Sequence, residues 1–224
     1  MNTCSRLARL SALVLCTLAT TACGGSSSTP TAPTTPTTVT TSTADATGDA
    51  TASGGGTAWD LTNVTTSRAT TGAISLNVSI TFAQAISSAN LPPPGTGVAT
   101  PTQLGAVVLI STGTAGNTVN NLTGCVGNPQ FPNVSYIVDP GLIAPPGRRA
   151  DGNFAIVNNS TSAVSGEASL AFTGPNTLTY TVPLAAIGGG SGAAQIAVVA
   201  VNGAAGAGNP SITDCAPNAT YIST

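Results

Sequence analysis

The feature that most constrains this chain is a strict alternation of apolar and polar side chains over residues 73–82. Every second residue from Ile74 to Phe82 is large and apolar, and the residues between them are Ser, Asn or Thr. Successive side chains of a β-strand point to opposite faces, so a period of two indicates a strand with one buried and one solvated face. The segment therefore predicts a strand in a sheet that is covered on one side.

Eight further segments have the length and composition of strands. Residues 168–172 and 177–182 are joined by Gly-Pro-Asn at 174–176, which predicts a β-hairpin. Two runs are continuously apolar, as is typical of central strands that are buried on both faces: residues 106–110 and 196–201. The weaker candidates are residues 59–64, 134–138, 154–157 and 221–223.

These nine strands predict an all-β fold, a single β-sandwich domain of jelly-roll type over residues 57–224. Clusters of Gly, Pro and Asn separate the segments, and no convincing amphipathic helix is found among them. Many short strands with turn signals between them are typical of sandwiches that are closed by Greek-key connections.

The composition excludes several kinds of chemistry. Only 5% of the residues are charged, and the chain has neither His nor Lys, whereas about 25% is usual in a soluble domain. An imidazole base and a lysine Schiff base are therefore excluded, and no cofactor is predicted. The chain after residue 22 keeps three arginines against seven acids, a balance that disfavours binding to nucleic acid.

Residues 1–22 are predicted to form a signal peptide. Arg6 and Arg9 precede an apolar run at residues 10–18, and small residues follow it, which is the order found in secretory signals. The run is about half of the roughly 20 apolar residues that a transmembrane helix needs. We therefore expect no spanning segment in the mature protein.

The end of this segment, LATTACGG at residues 18–25, resembles the lipobox of bacterial lipoproteins. The resemblance implies that Cys23 is acylated and becomes the new N-terminus, so that the membrane is a partner through this lipid. Gly24 follows the cysteine, which by the same resemblance favours the outer membrane over the inner. Thr20 stands where the family usually has Leu, and ordinary cleavage after Ala22 is the alternative.

The segment at residues 23–56 is predicted to be a disordered tether that begins at the lipidated cysteine. Beyond Cys23 it consists mainly of Thr, Ser, Pro, Ala and Gly, with one Val and neither Leu nor Ile. Such a composition offers too little apolar surface to offset the entropy of ordering the chain.

Two cysteines remain in the domain, Cys125 and Cys215. An exported destination permits disulfides, and an even number favours pairing, so we predict a bond between them. A two-thiol metal site is disfavoured because the chain has no His and no CxxC spacing. Two unpaired thiols are the remaining alternative.

Short motifs occur at three places in the domain: WDL at 59–61 leading into ITF at 80–82, YTVPLAAIG at 180–188, and TDCAPN at 213–218. In these motifs the domain resembles secreted bacterial β-sandwich domains of the DOMON and family-9-like carbohydrate-binding classes. The resemblance implies the sandwich fold and carbohydrate as a candidate ligand. Haem is excluded, because such relatives ligate it with Met and His and the mature chain has neither.

Five carboxylates are available in the domain: Asp60, Asp139, Asp151, Glu167 and Asp214. The first and last strands of sandwiches often approach each other, so Asp60 and Asp214 are the candidate ligands if a cation binds. The competing interpretation is a turn or capping role for each acid, because three of them stand in sequences with turn chemistry. We predict no dedicated metal site and no catalytic residue.

Three aromatic residues, Trp59, Tyr136 and Tyr221, are candidates for stacking on a sugar ring. Such residues more often anchor the core of a sandwich, and this interpretation is favoured. The function predicted from the sequence is that of a non-catalytic, lipid-anchored protein with a binding or structural role at the cell envelope. Its partner would be a carbohydrate or an envelope protein. A carbohydrate-binding module is the second hypothesis, and a hydrolase built from carboxylates alone is the third.

Overall fold

The computed structural model describes residues 37–51, 56–70, 72, 74–120, 122–143, 147–189, 194–203, 211–218 and 221–224. The predicted signal peptide, the predicted lipidation site Cys23 and the first part of the predicted tether lie outside these residues. Within the described ranges, the structure holds no helix with the length and apolarity that a membrane crossing requires.

The described residues form an all-β domain, which confirms the predicted class, with thirteen strands rather than about nine. The only helical pieces in these residues are 3-10 turns at Ser88–Asn90 and Leu184–Ile187. The strands are β1 (Thr38–Ala44), β2 (Leu61–Ala69), β3 (Ser75–Phe82), β4 (Gly105–Ser111), β5 (Asn117–Val119), β6 (Phe131–Val134), β7 (Tyr136–Asp139), β8 (Phe154–Asn158), β9 (Val164–Phe172), β10 (Thr177–Pro183), β11 (Gln195–Asn202), β12 (Ser211–Ala216) and β13 (Ile222–Ser223).

One antiparallel sheet runs through both layers in the order β1-β2-β3-β10-β9-β8-β7-β4-β11-β12, with β13 beside β11. Strand β9 joins the layers, because residues 169–172 pair with β10 and residues 164–168 pair with β8. We call β1-β2-β3-β10 the front layer and β8-β7-β4-β11-β12 the back layer. Strands β7, β8, β9 and β10 pair in the order of the sequence and form a meander. A jelly roll would show nested strand pairing instead.

The main core lies between the two layers and follows the predicted alternation. In β3 the side chains of Leu76, Val78, Ile80 and Phe82 are fully buried, and the residues between them are half-buried on the outer face. Ile74 departs from the pattern and is 84% exposed. The strand begins only at Ser75, so the period of two does not extend to Ile74.

Strands β4 and β11 are buried on both faces, as predicted. Their inward side chains join the main core, and their outward side chains join a second core under the segment that carries β5 and β6. The predicted disulfide is present, with Cys125 bonded to Cys215 of β12. The bond fastens the covering segment to the back layer.

Strand β1 corrects the predicted tether, which was expected to be disordered to residue 56. Thr38–Ala44 pairs with β2 along its whole length, from Thr38 opposite Ala69 to Ala44 opposite Asn63. The strand is largely exposed, so it needs few apolar residues. Hydrogen bonds between backbones hold it, and its β-branched Thr and Val residues suit an extended chain.

Candidate functional site

Three carboxylates converge where the turn after β1 meets strand β12. One oxygen from each of Asp45, Asp49 and Asp214 lies within 4.8 Å of the others. Asp214 is one of the two predicted cation ligands. Asp45 and Asp49 were missed, because they belong to the segment that was predicted to be disordered. The available signal was that they are the only charged residues between positions 24 and 56.

Asp60, the other predicted cation ligand, lies against the same turn. Its Oδ2 accepts a hydrogen bond of 2.8 Å from the backbone N–H of Gly48, and its negative charge acts on Asp45. Gly48 has a φ of 89°, which is the left-handed conformation that glycine adopts at low cost. The structure therefore places Asp214 in the cluster with two acids from the turn, and Asp60 against the same turn through Gly48.

Hydrogen bonds fix this turn between β2 and β12. The N–H of Asp45 donates to the carbonyl of Thr62 at 2.9 Å, and the N–H of Thr51 donates to the carbonyl of Thr213 at 2.9 Å. The carboxylate of Asp214 accepts the N–H of Leu61 at 2.7 Å. Both ends of the described domain therefore meet at this cluster.

Asn218, which follows β12, completes the cluster. Its Nδ2 donates to Asp45 Oδ1 at 2.9 Å and to Asp49 Oδ2 at 3.1 Å. Four buried oxygens nevertheless have no hydrogen-bond donor: Asp45 Oδ2, Asp49 Oδ1, Asp60 Oδ1 and Asn218 Oδ1. Buried polar atoms are rarely left without a partner, so this group of oxygens calls for an explanation.

The local electrostatics disfavour ionisation of the cluster. Burial and, to a lesser extent, the negative charge of Asp49 together raise the pKa of Asp45 to about 6. Burial also raises the pKa of Asp214 to about 7, although the N–H groups of Leu61 and Cys215 oppose the shift. The side-chain charges that act on these two groups are all negative.

We expect the free energy of unfolding of the domain to fall as the pH rises. The measurement is made with a chelator present, so that no metal ion is bound to the carboxylates. The pKa values of Asp45 and Asp214 lie above the 3.8 of an unfolded chain. Between about pH 4 and pH 7 the folded state thus holds protons that the unfolded state has lost, and the free energy of unfolding decreases through this window. Urea unfolding across the window measures the slope. D45N should flatten it and D151N should leave it unchanged; equal slopes in all three proteins would contradict the prediction.

The three predicted stacking aromatics do not form an exposed row. Trp59 is 3% exposed, and its indole N–H donates to the carbonyl of Gln103, so a stacking role for Trp59 is wrong. Tyr136 is half-buried against the main core. Tyr221 is half-buried on Phe131, and its hydroxyl donates to the backbone of residue 132 at 2.6 Å.

Of the remaining carboxylates, Asp139 and Asp151 have the turn roles that the sequence predicts, whereas Glu167 lies within strand β9. Asp139 accepts the N–H groups of residues 141, 142 and 143. Asp151 accepts both the backbone and the side-chain N–H of Asn153. Glu167 forms an ion pair of 3.7 Å with Arg149. None of these three acids belongs to the carboxylate cluster.

Comparison with models of protein families, with curated proteins and with solved structures finds no match to this chain.

Proposed function

We propose that this chain is an exported, lipid-anchored β-sandwich protein with a non-catalytic binding role at the cell envelope. The signal-like residues 1–22 and the lipobox-like sequence at Cys23 support export and anchoring. The Cys125–Cys215 disulfide suits an oxidising compartment.

A broad neutral surface on the front layer carries the proposal. Three rows of side chains cross its strands on the side away from the core, and we call them together the hydroxyl face. Every member is Ser, Thr, Asn or Ala. The rows are Ser42, Thr65, Ser79, Thr179 and Ala171; Thr40, Ser67, Asn77, Thr181 and Ser169; and Ala44, Asn63, Thr81 and Thr177.

Hydrogen bonds between its members order the hydroxyl face. Ser79 pairs with Thr179 at 2.8 Å, and Thr181 donates to Asn77 at 2.9 Å. Each hydroxyl has one donor and two acceptor lone pairs, so capacity remains for a ligand. A neutral lattice of donors and acceptors suits an uncharged, hydroxyl-rich polymer better than a charged one. Carbohydrate binding is therefore the second candidate, through this face and not through aromatic stacking.

The carboxylate cluster does not favour the hydrolase hypothesis. The carboxyl groups of glycosidases flank the bond that they cleave and stand about 5 to 10 Å apart. One oxygen from each of Asp45, Asp49 and Asp214 lies within 4.8 Å of the others, which is closer than that separation. Asp214 is also fully buried, and both of its oxygens accept backbone N–H groups.

Sedimentation of the full-length protein with purified cell-wall sacculi and with an insoluble neutral polysaccharide tests the proposal. We expect T179K to weaken binding about tenfold, because it places a charge in the middle of the hydroxyl face. T102K adds the same charge on an exposed loop and should bind as the wild type does. Wild-type protein that sediments with neither material, or equal loss in both variants, would contradict the binding role.

The mass of the N-terminal peptide, isolated from the membrane fraction of the cells that produce the protein, tests the lipid anchor. Acylation adds the mass of the fatty acids to Cys23, whereas an unmodified Cys23 in a soluble exported protein would rule the anchor out.

A further inference from the structure

We propose that Asp45, Asp49, Asp60, Asp214 and Asn218 form a divalent-cation site of the calcium type, which fastens the turn after β1 to the end of the sandwich. This site is independent of the binding role proposed for the hydroxyl face. Its starting point is the convergence of three carboxylate oxygens within 4.8 Å.

The unpartnered oxygens are the second, independent observation. Asp60 is 5% exposed, yet its Oδ1 accepts no hydrogen bond. Its Oδ2 takes the N–H of Gly48, between Asp45 and Asp49, so the carboxylate faces the turn that carries these acids. Leaving such an oxygen both buried and unpaired is costly. A cation at the centre of the cluster would satisfy it together with the free oxygens of Asp45, Asp49 and Asn218.

The arrangement of Asn218 fits a bound cation. Its amide nitrogen bridges Asp45 and Asp49 and holds the two carboxylates together. Its Oδ1 remains buried without a donor, and an amide oxygen is an ordinary calcium ligand. The amide therefore serves at once as a clamp on two acids and as a ligand.

The donor set selects a hard cation. All candidate ligands are oxygens, the chain has no His, and Cys125 and Cys215 are joined in the disulfide, so the cluster lacks the nitrogen and sulfur ligands that are typical of zinc sites. Calcium accepts six to eight oxygens in flexible geometry, whereas magnesium demands a near-ideal octahedron and keeps several waters. Five side chains from three separate segments suit calcium better.

A cation here would join distant parts of the chain. Asn218 is separated from Asp45 by 173 residues and from Asp49 by 169 residues. The cation would neutralise acids that otherwise repel one another, and it would hold strand β1 at its C-terminal end. The predicted tether would then lead into strand β1, which the bound cation holds in place.

Thermal unfolding of the full-length protein, with excess EGTA and then with millimolar CaCl2 or MgCl2, tests the site. A ligand that binds only the folded state raises the melting temperature, and we expect a rise of about 5 to 10 °C with calcium and less than half of that with magnesium. Terbium luminescence gives a direct readout, because Trp59 precedes Asp60 and should sensitise the bound ion. Calcium should displace the terbium signal.

Charge-removing variants separate a cation site from a cluster of hydrogen bonds. D49N relieves repulsion, so its melting temperature in EGTA should equal or exceed that of the wild type, while most of its calcium response should disappear. D151N removes a carboxylate outside the cluster and should keep the full response. A wild type without a calcium shift or a terbium signal would overturn the proposal. It would also be overturned by a D49N variant that loses the same stability in EGTA and in calcium.

Discussion

Replacing both cysteines of the Cys125–Cys215 disulfide by alanine is expected to lower the free energy of unfolding by about 4 kcal/mol. The bond spans 90 residues, and a cross-link over a loop of this length removes much of the freedom of the unfolded chain. Cys215 is fully buried in β12, and Cys125 holds the segment that covers the second core. Loss of the bond therefore gives the unfolded chain more freedom and also releases the segment that covers the back layer.

Urea unfolding of wild type and variant, each with and without a reductant, measures this effect. The reductant should bring the wild type down to the level of the variant, and it should leave the variant unchanged. A loss below about 1 kcal/mol would mean that the back layer holds its covering segment without the bond.

The second large effect is expected at Tyr180, whose ring lies between the two layers. Tyr180 is fully buried, its ring meets Phe154 edge to face, and its hydroxyl donates to the carbonyl of Ala106 at 3.2 Å. Y180A leaves a large cavity and should cost about 3 to 5 kcal/mol. Y180F keeps the ring and loses only the hydrogen bond to β4, so it should cost about 1 kcal/mol.

Chemical unfolding of Y180A and Y180F beside the wild type measures both losses in the free energy of unfolding. S169A, at an exposed position of the adjoining strand, is the control and should stay within about 0.5 kcal/mol of the wild type. Equal losses for Y180A and Y180F would show that the hydrogen bond, and not the packing of the ring, dominates at this site.

Much of the fold could be predicted from local patterns. The period of two over β3 and β10 predicts their buried faces, and Gly-Pro-Asn at residues 174–176 predicts the hairpin between β9 and β10. The continuous apolar runs predict that β4 and β11 are covered on both sides. These predictions succeed because the face to which a side chain points is set by the strand itself.

The candidate site could be predicted only in part. The frequent approach of the first and last strands of a sandwich predicts Asp60 and Asp214 as ligands, and the structure places Asp214 in the cluster and Asp60 against the turn that carries Asp45 and Asp49. Trp59 is a candidate for stacking by its type, yet its side chain is buried just before β2. The sequence does not show whether an aromatic ring at a strand end faces the core or the solvent.

The alternating segments, the scarcity of charge and the even cysteine count determined an all-β domain with one disulfide. Only the tertiary structure decided that the low-complexity residues 38–44 form a strand and that Asp45 and Asp49 meet Asp214. The physical reason is that β1 is held by backbone hydrogen bonds to β2, which every residue type except proline can both donate and accept. Asp49 and Asp214 meet although they are 165 residues apart in the sequence, and no local pattern records such a contact.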